Sequence, residues 1–105
     1  IEHLESDKPF LNSEMTLQNL ADGSGMSKHR VSELLNIEIG LSFSEVINEY
    51  RIKEVIRLIN EGVHEQHKIL HLAELSGFNS KATFNRIFKK KTGKTPSQYI
   101  QDITG

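Results

Sequence analysis

The side chains best suited to chemistry in this sequence are polar groups at helical spacing around position 85. Lys81, Asn85 and Lys89 recur at every fourth residue, with Ala82 and Arg86 beside them, so a helix would carry them on one face. Arginine can pair with guanine O6 and N7, asparagine with adenine N6 and N7, and an alanine methyl can touch a thymine methyl. The stripe therefore predicts a face that reads bases in DNA. The alternative is a solvated helix face above a buried core.

The charge of the chain is concentrated at one end. The net charge of the 105 residues is -1, yet residues 66–105 carry seven basic and two acidic side chains, whereas residues 1–40 carry three basic and seven acidic ones. A basic end is where a polyanion is expected to bind. We interpret Lys90, Lys91 and Lys94 as contacts to DNA phosphates, which position a protein without specifying sequence.

The sequence contains an internal repeat. Residues 20–26 (LADGSGM) match residues 72–78 (LAELSGF) at an offset of 52, and after one inserted residue the offset becomes 53. At that second offset, the apolar positions Val31, Leu34 and Leu35 correspond to Phe84, Ile87 and Phe88. Two copies are too few for a solenoid and indicate one supersecondary unit used twice.

Each copy has the pattern of a helix-turn-helix unit. An amphipathic stripe opens each copy, a glycine then permits a turn, and a serine suits the N-cap of a second helix that ends at another glycine. The stripes are Leu17, Leu20 and Ala21, then Ile69, Leu72 and Ala73; the turn glycines are Gly25 and Gly77, the N-caps Ser27 and Ser80, and the C-caps Gly40 and Gly93. We call the second helix of each unit its reading helix.

The first reading helix carries a different set of side chains. The offset of 53 aligns these side chains with the polar residues of the second reading helix: Lys28, His29, Ser32, Glu33 and Asn36 correspond to Lys81, Ala82, Asn85, Arg86 and Lys89, and Arg30 corresponds to Thr83. Lys28, Arg30 and Asn36 can bond phosphates or bases. Glu33 can accept a hydrogen bond from cytosine N4 but repels phosphate. Its alternatives are an ordinary exposed carboxylate or a partner to Arg30.

A long helix is predicted between the two copies, over about residues 44–61, with Ser44 as its N-cap and Gly62 at its end. Its apolar positions form two stripes, which indicates contacts on more than one side. The stripes are Val46, Ile47 and Tyr50, and Ile52, Val55, Ile56, Ile59 and Val63.

Two short helices complete the predicted fold. One lies between Leu4 and Leu11, and the other begins near Pro96, a residue suited to the first turn of a helix. We therefore expect an all-α, homeodomain-like fold. Residues 1–43 would hold the N-terminal helix and the first helix-turn-helix, residues 44–62 the linker helix, and residues 63–105 the second helix-turn-helix.

These motifs resemble the signature of the AraC/XylS transcription regulators. The similar segments are residues 77–80 (GFNS), 84–90 (FNRIFKK) and 92–99 (TGKTPSQY), and residues 48–52 (NEYRI) resemble the start of that family's linker helix. The resemblance covers roughly residues 14–101. It implies two helix-turn-helix subdomains that each send one helix into successive major grooves, and a separate sensor or dimerisation domain elsewhere in the protein.

Other chemistries find little support in the sequence. There is no cysteine, so thiolate zinc sites and disulfides are excluded. His64, His67 and His71 have a spacing that tempts a metal assignment, but Lys68 stands where the H-E-x-x-H pattern needs its second histidine, and we expect no metal and no cofactor. Nothing resembles a catalytic triad or a phosphate-binding loop, so we expect no enzyme.

The combined prediction is the sequence-specific, double-stranded-DNA-binding domain of a bacterial-type regulator acting in the cytoplasm. RNA polymerase is a candidate partner, and no run of apolar residues is long enough to span a bilayer. Because the first residue is Ile, we expect the chain to be part of a longer protein. The alternative function is a helical protein-interaction module without DNA binding. The predicted DNA-binding residues are Lys28, His29, Arg30, Ser32, Glu33, Asn36, Ser80, Lys81, Ala82, Asn85, Arg86, Lys89 and Lys90.

Overall fold

The computed structural model describes residues 8–104, and all the regular secondary structure in this range is helical. The all-α prediction is confirmed, since these residues contain no β-strand. The α-helices of this range are α1 (Leu17–Ser24), α2 (Lys28–Leu34), α3 (Phe43–Asn60), α4 (Ile69–Leu75), α5 (Lys81–Thr92) and α6 (Pro96–Thr104). A π-helix over Leu35–Ile39 continues α2, and single 3₁₀ turns lie at Pro9–Leu11 and Val63–Glu65. Within this part of the chain, no helix is long and apolar enough to cross a membrane.

Serine caps fix the starts of both reading helices. The Ser27 hydroxyl accepts from the backbone N–H of Arg30, and the Ser80 hydroxyl from that of Thr83, each at 3.2 Å. Each cap satisfies a backbone donor that has no partner within its helix. The sequence prediction of these two caps is confirmed.

The start of α3 differs from the prediction. Its N-cap is Ser42, not Ser44. The Glu45 N–H donates to Ser42 Oγ at 3.2 Å, and the Ser42 N–H donates to Glu45 Oε1 at 3.1 Å. Only Ser42 has a glutamate three residues later, so only it can form this capping box. The hydrogen bonds from Ser42 also lower the pKa of the Glu45 carboxyl.

Two separate hydrophobic cores make the molecule elongated, with extents of 46 × 23 × 22 Å. The first core is built from α1, α2 and the segments beside them, and the second from α4, α5 and the turn between them. The first includes Phe10, Leu20, Ala21, Val31 and Leu35, and the second includes Leu72, Ala73, Phe78, Phe84, Ile87 and Phe88. Each helix-turn-helix unit therefore has its own packed interior.

Helix α3 belongs to both cores. Val46 and Ile47 are buried in the first core, and Ile52, Val55 and Ile59 in the second. The two predicted stripes are confirmed, and they face different cores along the length of one helix. A continuous helix of 18 residues thus connects the two units.

The N-terminal segment packs against α3. The sequence predicts a short helix between Leu4 and Leu11; Leu4 lies outside the described residues, and the structure has a 3₁₀ turn at Pro9–Leu11. The Phe10 side chain is buried in the first core, with its ring centroid 5.6 Å from that of Tyr50. This contact holds the segment against the N-terminal half of α3.

A buried carboxylate forms a second attachment of this segment. The Glu54 side chain, only 8% exposed, contacts Lys8 Nζ at 3.1 Å and Arg57 Nη2 at 2.8 Å. Hydrogen bonds from Arg57 and then from Lys8 lower the pKa of Glu54, although burial opposes this shift. The pairing keeps a buried acid charged on α3.

Candidate nucleic-acid interface

Helix α5 separates a buried aromatic face from an exposed polar one. Phe84 and Phe88 are at most 1% exposed, and the Phe88 ring meets Tyr99 edge-on at 5.4 Å. The inward direction predicted for the apolar stripe is thus confirmed. The exposed residues on the rest of the helix include Lys81, Ala82, Asn85, Arg86, Lys89 and Lys90. Their functional groups are available to an external ligand.

The cations on that face form no ion pair among the described residues, although the charge of Lys90, after the hydrogen bonds from Ser42, also lowers the pKa of the Glu45 carboxyl. No ion pair joins Lys81, Arg86, Lys89 or Lys90 to an acid in residues 8–104. An ion pair between Arg86 and Glu74, which would compete with base recognition, is likewise absent from residues 8–104. Uncompensated cations on one exposed helix face suit a polyanionic ligand.

Two further lysines are already paired. Lys91 contacts Glu49 of α3, and Lys94 contacts Asp102 of α6. Of the three lysines expected to contact phosphates, only Lys90 forms no ion pair in the part of the chain that the structure describes. Lys91 and Lys94 tie α5 and its C-terminal turn to neighbouring helices instead.

Ser80 differs from the other predicted contacts because it has a structural role. Its side chain is half-buried, and its hydroxyl accepts the Thr83 N–H as the cap of α5. The hydroxyl proton remains free to donate to a phosphate, because the cap uses only an acceptor lone pair. Ser80 therefore places a donor at the N-terminal end of α5, where the helix dipole favours an anion.

Helix α2 exposes a more mixed surface. Val31 and Leu35 are buried in the first core, as predicted, and Leu34 is half-buried. The predicted contacts Lys28, His29, Arg30 and Asn36 are exposed, while Ser32 and Glu33 are half-buried. The polar face of this helix thus exists, but its residues are not equally accessible.

An ion pair occupies the middle of the α2 face. Arg30 Nη1 lies 2.7 Å from Glu33 Oε1, and His29 Nε2 lies 3.9 Å from Glu33 Oε2. The alternative in which Glu33 pairs with Arg30 is therefore the one found in the structure. The pair reduces the positive charge that this face offers to phosphates.

The last turn of the first reading helix is wider than an α-helix. The Gly40 N–H donates to the Leu35 carbonyl, five residues back, at 2.8 Å, whereas the equivalent Gly93 N–H donates to the Lys89 carbonyl, four residues back, at 2.7 Å. Asn36 lies in this π-helical turn. It therefore does not continue a regular four-residue stripe in the way that Lys89 does.

The histidines do not gather into a metal site. His67 precedes α4, His71 lies in its first turn, and both are exposed. Their ring centroids lie 5.0 Å apart. Residues 8–104 contain no group of three or more His, Cys, Asp or Glu side chains that could hold a metal ion.

Sequence reasoning missed one residue that shapes this surface. Arg51 of α3 donates from Nε to the Phe10 carbonyl at 2.8 Å and from Nη2 to the Asn12 carbonyl at 3.0 Å. Arg51 is four residues from both Ile47 and Val55, which are buried, so it lies on the core side of α3. The sequence could have indicated this position, because a cation among apolar residues of one helix face needs hydrogen-bond acceptors nearby.

Comparison with known proteins agrees with this geometry. A family described as "Helix-turn-helix domain" matches residues 20–102. The chain is 30% identical over 93 residues to the probable transcription factor PqrA of Proteus vulgaris, covering 89% of this chain and 74% of PqrA. The chain belongs to the AraC/XylS-type helix-turn-helix family. It is the DNA-binding domain of a transcription regulator, and this family is not one of enzymes.

Other members of the AraC/XylS-type family match over most of the chain. The multiple antibiotic resistance protein MarA of Escherichia coli is 30% identical over 89 residues, which cover 85% of this chain and 68% of MarA. The C-terminal domain of AraT, a response regulator from Geobacillus stearothermophilus, superposes with a TM-score of 0.74 at 27% identity, covering 90% of this chain and 76% of that one. The double helix-turn-helix architecture is therefore shared.

Proposed function

We propose that α2 and α5 enter successive major grooves on one face of a duplex. The observation that carries this proposal is the repetition itself, because each reading helix starts at a serine cap, buries its apolar face in its own core and exposes a polar face. Successive major grooves on one face of DNA are roughly 34 Å apart. The long dimension of the molecule, 46 Å, is sufficient for such a span.

The second reading helix supplies the clearer assignment of roles. We assign base contacts to Ala82, Asn85 and Arg86, which lie on the exposed face of α5. Lys89 and Lys90 follow at its C-terminal end and would bind phosphates. The remaining two contacts in this unit are Ser80 and Lys81, which would bind the backbone at the start of the helix.

The first reading helix contributes a weaker contact. Lys28 and Asn36 would bind phosphates or bases, with His29 and Ser32 beside them. The pair between Arg30 and Glu33 must open, or must be accommodated intact, when α2 enters a groove. We therefore expect the second unit to provide most of the electrostatic affinity.

We further propose that the DNA-binding unit works as part of a longer cytoplasmic regulator. Within this unit, residues 1–43 would hold the first helix-turn-helix, residues 44–62 the linker helix and residues 63–105 the second helix-turn-helix. The AraT chain that superposes on this one is the C-terminal domain of a response regulator, which supports an attached sensor or dimerisation domain here. We also propose RNA polymerase as a partner of this regulator.

Selection of binding sites from random duplexes tests the base-reading assignment. The chain is compared with Arg86→Ala and with Arg86→Lys, which keeps a charge but cannot form the bidentate pair with guanine. Loss of a bidentate pair should remove about 1–3 kcal/mol of discrimination at one base pair. Both variants should then relax the same position of the selected site.

The opposite result is equally clear. If Arg86→Lys selects the original site and Arg86→Ala selects it with lower affinity, Arg86 holds a phosphate and its assignment to a base is wrong. If the unmodified chain enriches no sequence, the proposal of specific recognition by this domain alone fails.

A further inference from the structure

The N-terminal segment, residues 8–12, touches both helix-turn-helix units, and we call it the strap. Its Phe10 side chain is 3% exposed and packs in the first core. Its backbone faces the second unit instead, because a Cβ atom added at Gly77 would lie 2.1 Å from the Phe10 carbonyl oxygen. The strap therefore fills the space between the first core and the turn that precedes α5.

Arg51 holds this strap in place. Its guanidinium donates to the carbonyls of Phe10 and Asn12, at 2.8 and 3.0 Å. The same Cβ atom added at Gly77 would lie 2.7 Å from Arg51 Nε. One half-buried cation thus meets the strap, the linker helix and the second unit at a single point. Charge-assisted hydrogen bonds of this kind are about twice as strong as neutral ones.

This contact belongs to one repeat only. Gly25 is the equivalent of Gly77, and a Cβ atom there would meet nothing within 4 Å. The close approach at Gly77 is therefore not required by the helix-turn-helix fold. It arises because the strap lies against the second unit.

Other ties between the units are weaker. Lys91 of α5 contacts Glu49 in the part of α3 that packs on the first core, but both side chains are about a third exposed. Solvent screens such a pair, and it adds little energy. Lys8 and Glu54 hold the outer end of the strap to α3 at 3.1 Å without reaching the second unit.

We propose that Arg51 is a positioning residue that fixes the orientation of the second reading helix relative to the first. The consequence for binding rests on the proposed function: a domain with a fixed orientation of its reading helices accepts one spacing between two DNA half-sites. Helix α3 is the single element that the two cores share, and each core packs on a different half of it, so without a further contact their relative orientation would vary as the helix bends. The strap, clamped by Arg51 against Gly77, removes that freedom.

A distance measurement in the free protein tests the geometry without any DNA. The chain has no cysteine, so spin labels can be attached at Gln18→Cys on α1 and Gln101→Cys on α6, both at accessible positions. Pulsed electron resonance then gives the distribution of distances between the units. Arg51→Met should broaden this distribution, and Arg51→Lys should broaden it less.

Lys53→Met is the matched control. Lys53 is an exposed cation of the same helix, two residues from Arg51, and its Nζ lies 5.2 Å from the centroid of the Tyr50 ring. It should leave the distance distribution unchanged. Circular dichroism at the measuring temperature verifies that each variant is folded; if Arg51→Met is not, Arg51→Lys decides. An unchanged distribution in the folded Arg51 variant overturns the proposal.

A second readout connects the geometry to DNA. The duplex selected by the unmodified chain is compared with duplexes in which one base pair is inserted or deleted between the half-sites. We expect the unmodified chain to lose about tenfold in affinity on the altered duplexes and Arg51→Met to lose only about twofold. Binding to the second half-site alone should be unchanged.

Equal spacing discrimination in both proteins would contradict the role of Arg51 even if the domain binds DNA as proposed. Absence of specific binding in every protein would contradict the proposed function, while the distance distributions would still decide the geometric claim. The two failures are therefore separable.

Discussion

The two reading helices have the same length and the same boundaries within the repeat, yet they differ in regularity. Residues 28–39 and 81–92 both start after a serine cap and end at a glycine with a φ near +80°. The second is α-helical throughout, whereas the first changes to a π-helix at Leu35. The two reading helices therefore begin and end at equivalent residues, while the first one differs in its internal hydrogen bonding.

Their electrostatics differ in the same direction. Four cations of α5, namely Lys81, Arg86, Lys89 and Lys90, form no ion pair within residues 8–104, whereas His29 and Arg30 of α2 lie beside Glu33. The second unit therefore has the features of a strong, regular DNA contact, and the first those of a weaker and more adjustable one. The two copies share a fold, and we propose that they contribute unequally to DNA binding.

The largest expected effect distinguishes the two cores. Phe84→Ala should lower the free energy of unfolding by about 3–5 kcal/mol, because it leaves a cavity among Phe78, Phe88 and their neighbours. Val31→Ala, its equivalent in the first unit, should cost about 2 kcal/mol. Chemical denaturation measures both values. A loss for Phe84→Ala no larger than that for Val31→Ala would contradict the full burial of the Phe84 ring.

A smaller effect separates the turn glycines. Gly25→Ala should cost about 1–2 kcal/mol, the penalty of a left-handed backbone for a residue with Cβ. Gly77→Ala should cost about 1–3 kcal/mol more, because its φ of 104° is less accessible and its Cβ would collide with the Phe10 carbonyl. Thermal and denaturant unfolding give the difference. Equal destabilisation would mean that the strap moves away without cost.

Most of the fold could be predicted from the sequence, because local signals determine it. The Ser27 and Ser80 caps, the terminal Gly40 and Gly93, and the two stripes of α3 are short-range patterns with direct physical causes. The misplaced cap at Ser44 was also a local error, since the capping box at Ser42 and Glu45 was readable.

The parts that could not be predicted depend on contacts between distant residues or on small differences in energy. The contact between Arg51 and Phe10 joins positions 41 residues apart, and no periodicity identifies its partner. Lys91 and Glu49 are also far apart in the sequence, by 42 residues, so their pairing could not be predicted either. The π-helix after Leu34 replaces one hydrogen-bond register by another of similar energy, so propensities do not reveal it. The electrostatic details of the candidate site were therefore less predictable than its location.

Paired and unpaired lysines should separate in the salt dependence of binding. Lys89 and Lys90 form no ion pair within residues 8–104, whereas Lys91 and Lys94 do. Replacing Lys89 and Lys90 by Ala should reduce the slope of log K against log salt by about one for each lysine. The double variant Lys91→Ala with Lys94→Ala should change the slope less. Fluorescence anisotropy on a duplex of unrelated sequence measures both, and the reverse order would contradict the assignment of phosphate contacts.

The smallest expected effect concerns the ion pair on α2. Glu33→Gln removes the carboxylate that lies 2.7 Å from Arg30 and should strengthen DNA binding about two- to fivefold, because an exposed pair is worth at most about 1 kcal/mol. Glu38→Gln is the control, since it removes the same charge from the end of the same reading helix without releasing Arg30. If the two variants gain equally, only net charge matters and the pair has no specific role. If Glu33→Gln instead loses affinity for sites with one particular base pair, Glu33 accepts a hydrogen bond from cytosine, and the first unit reads sequence with an acid where the second uses Arg86.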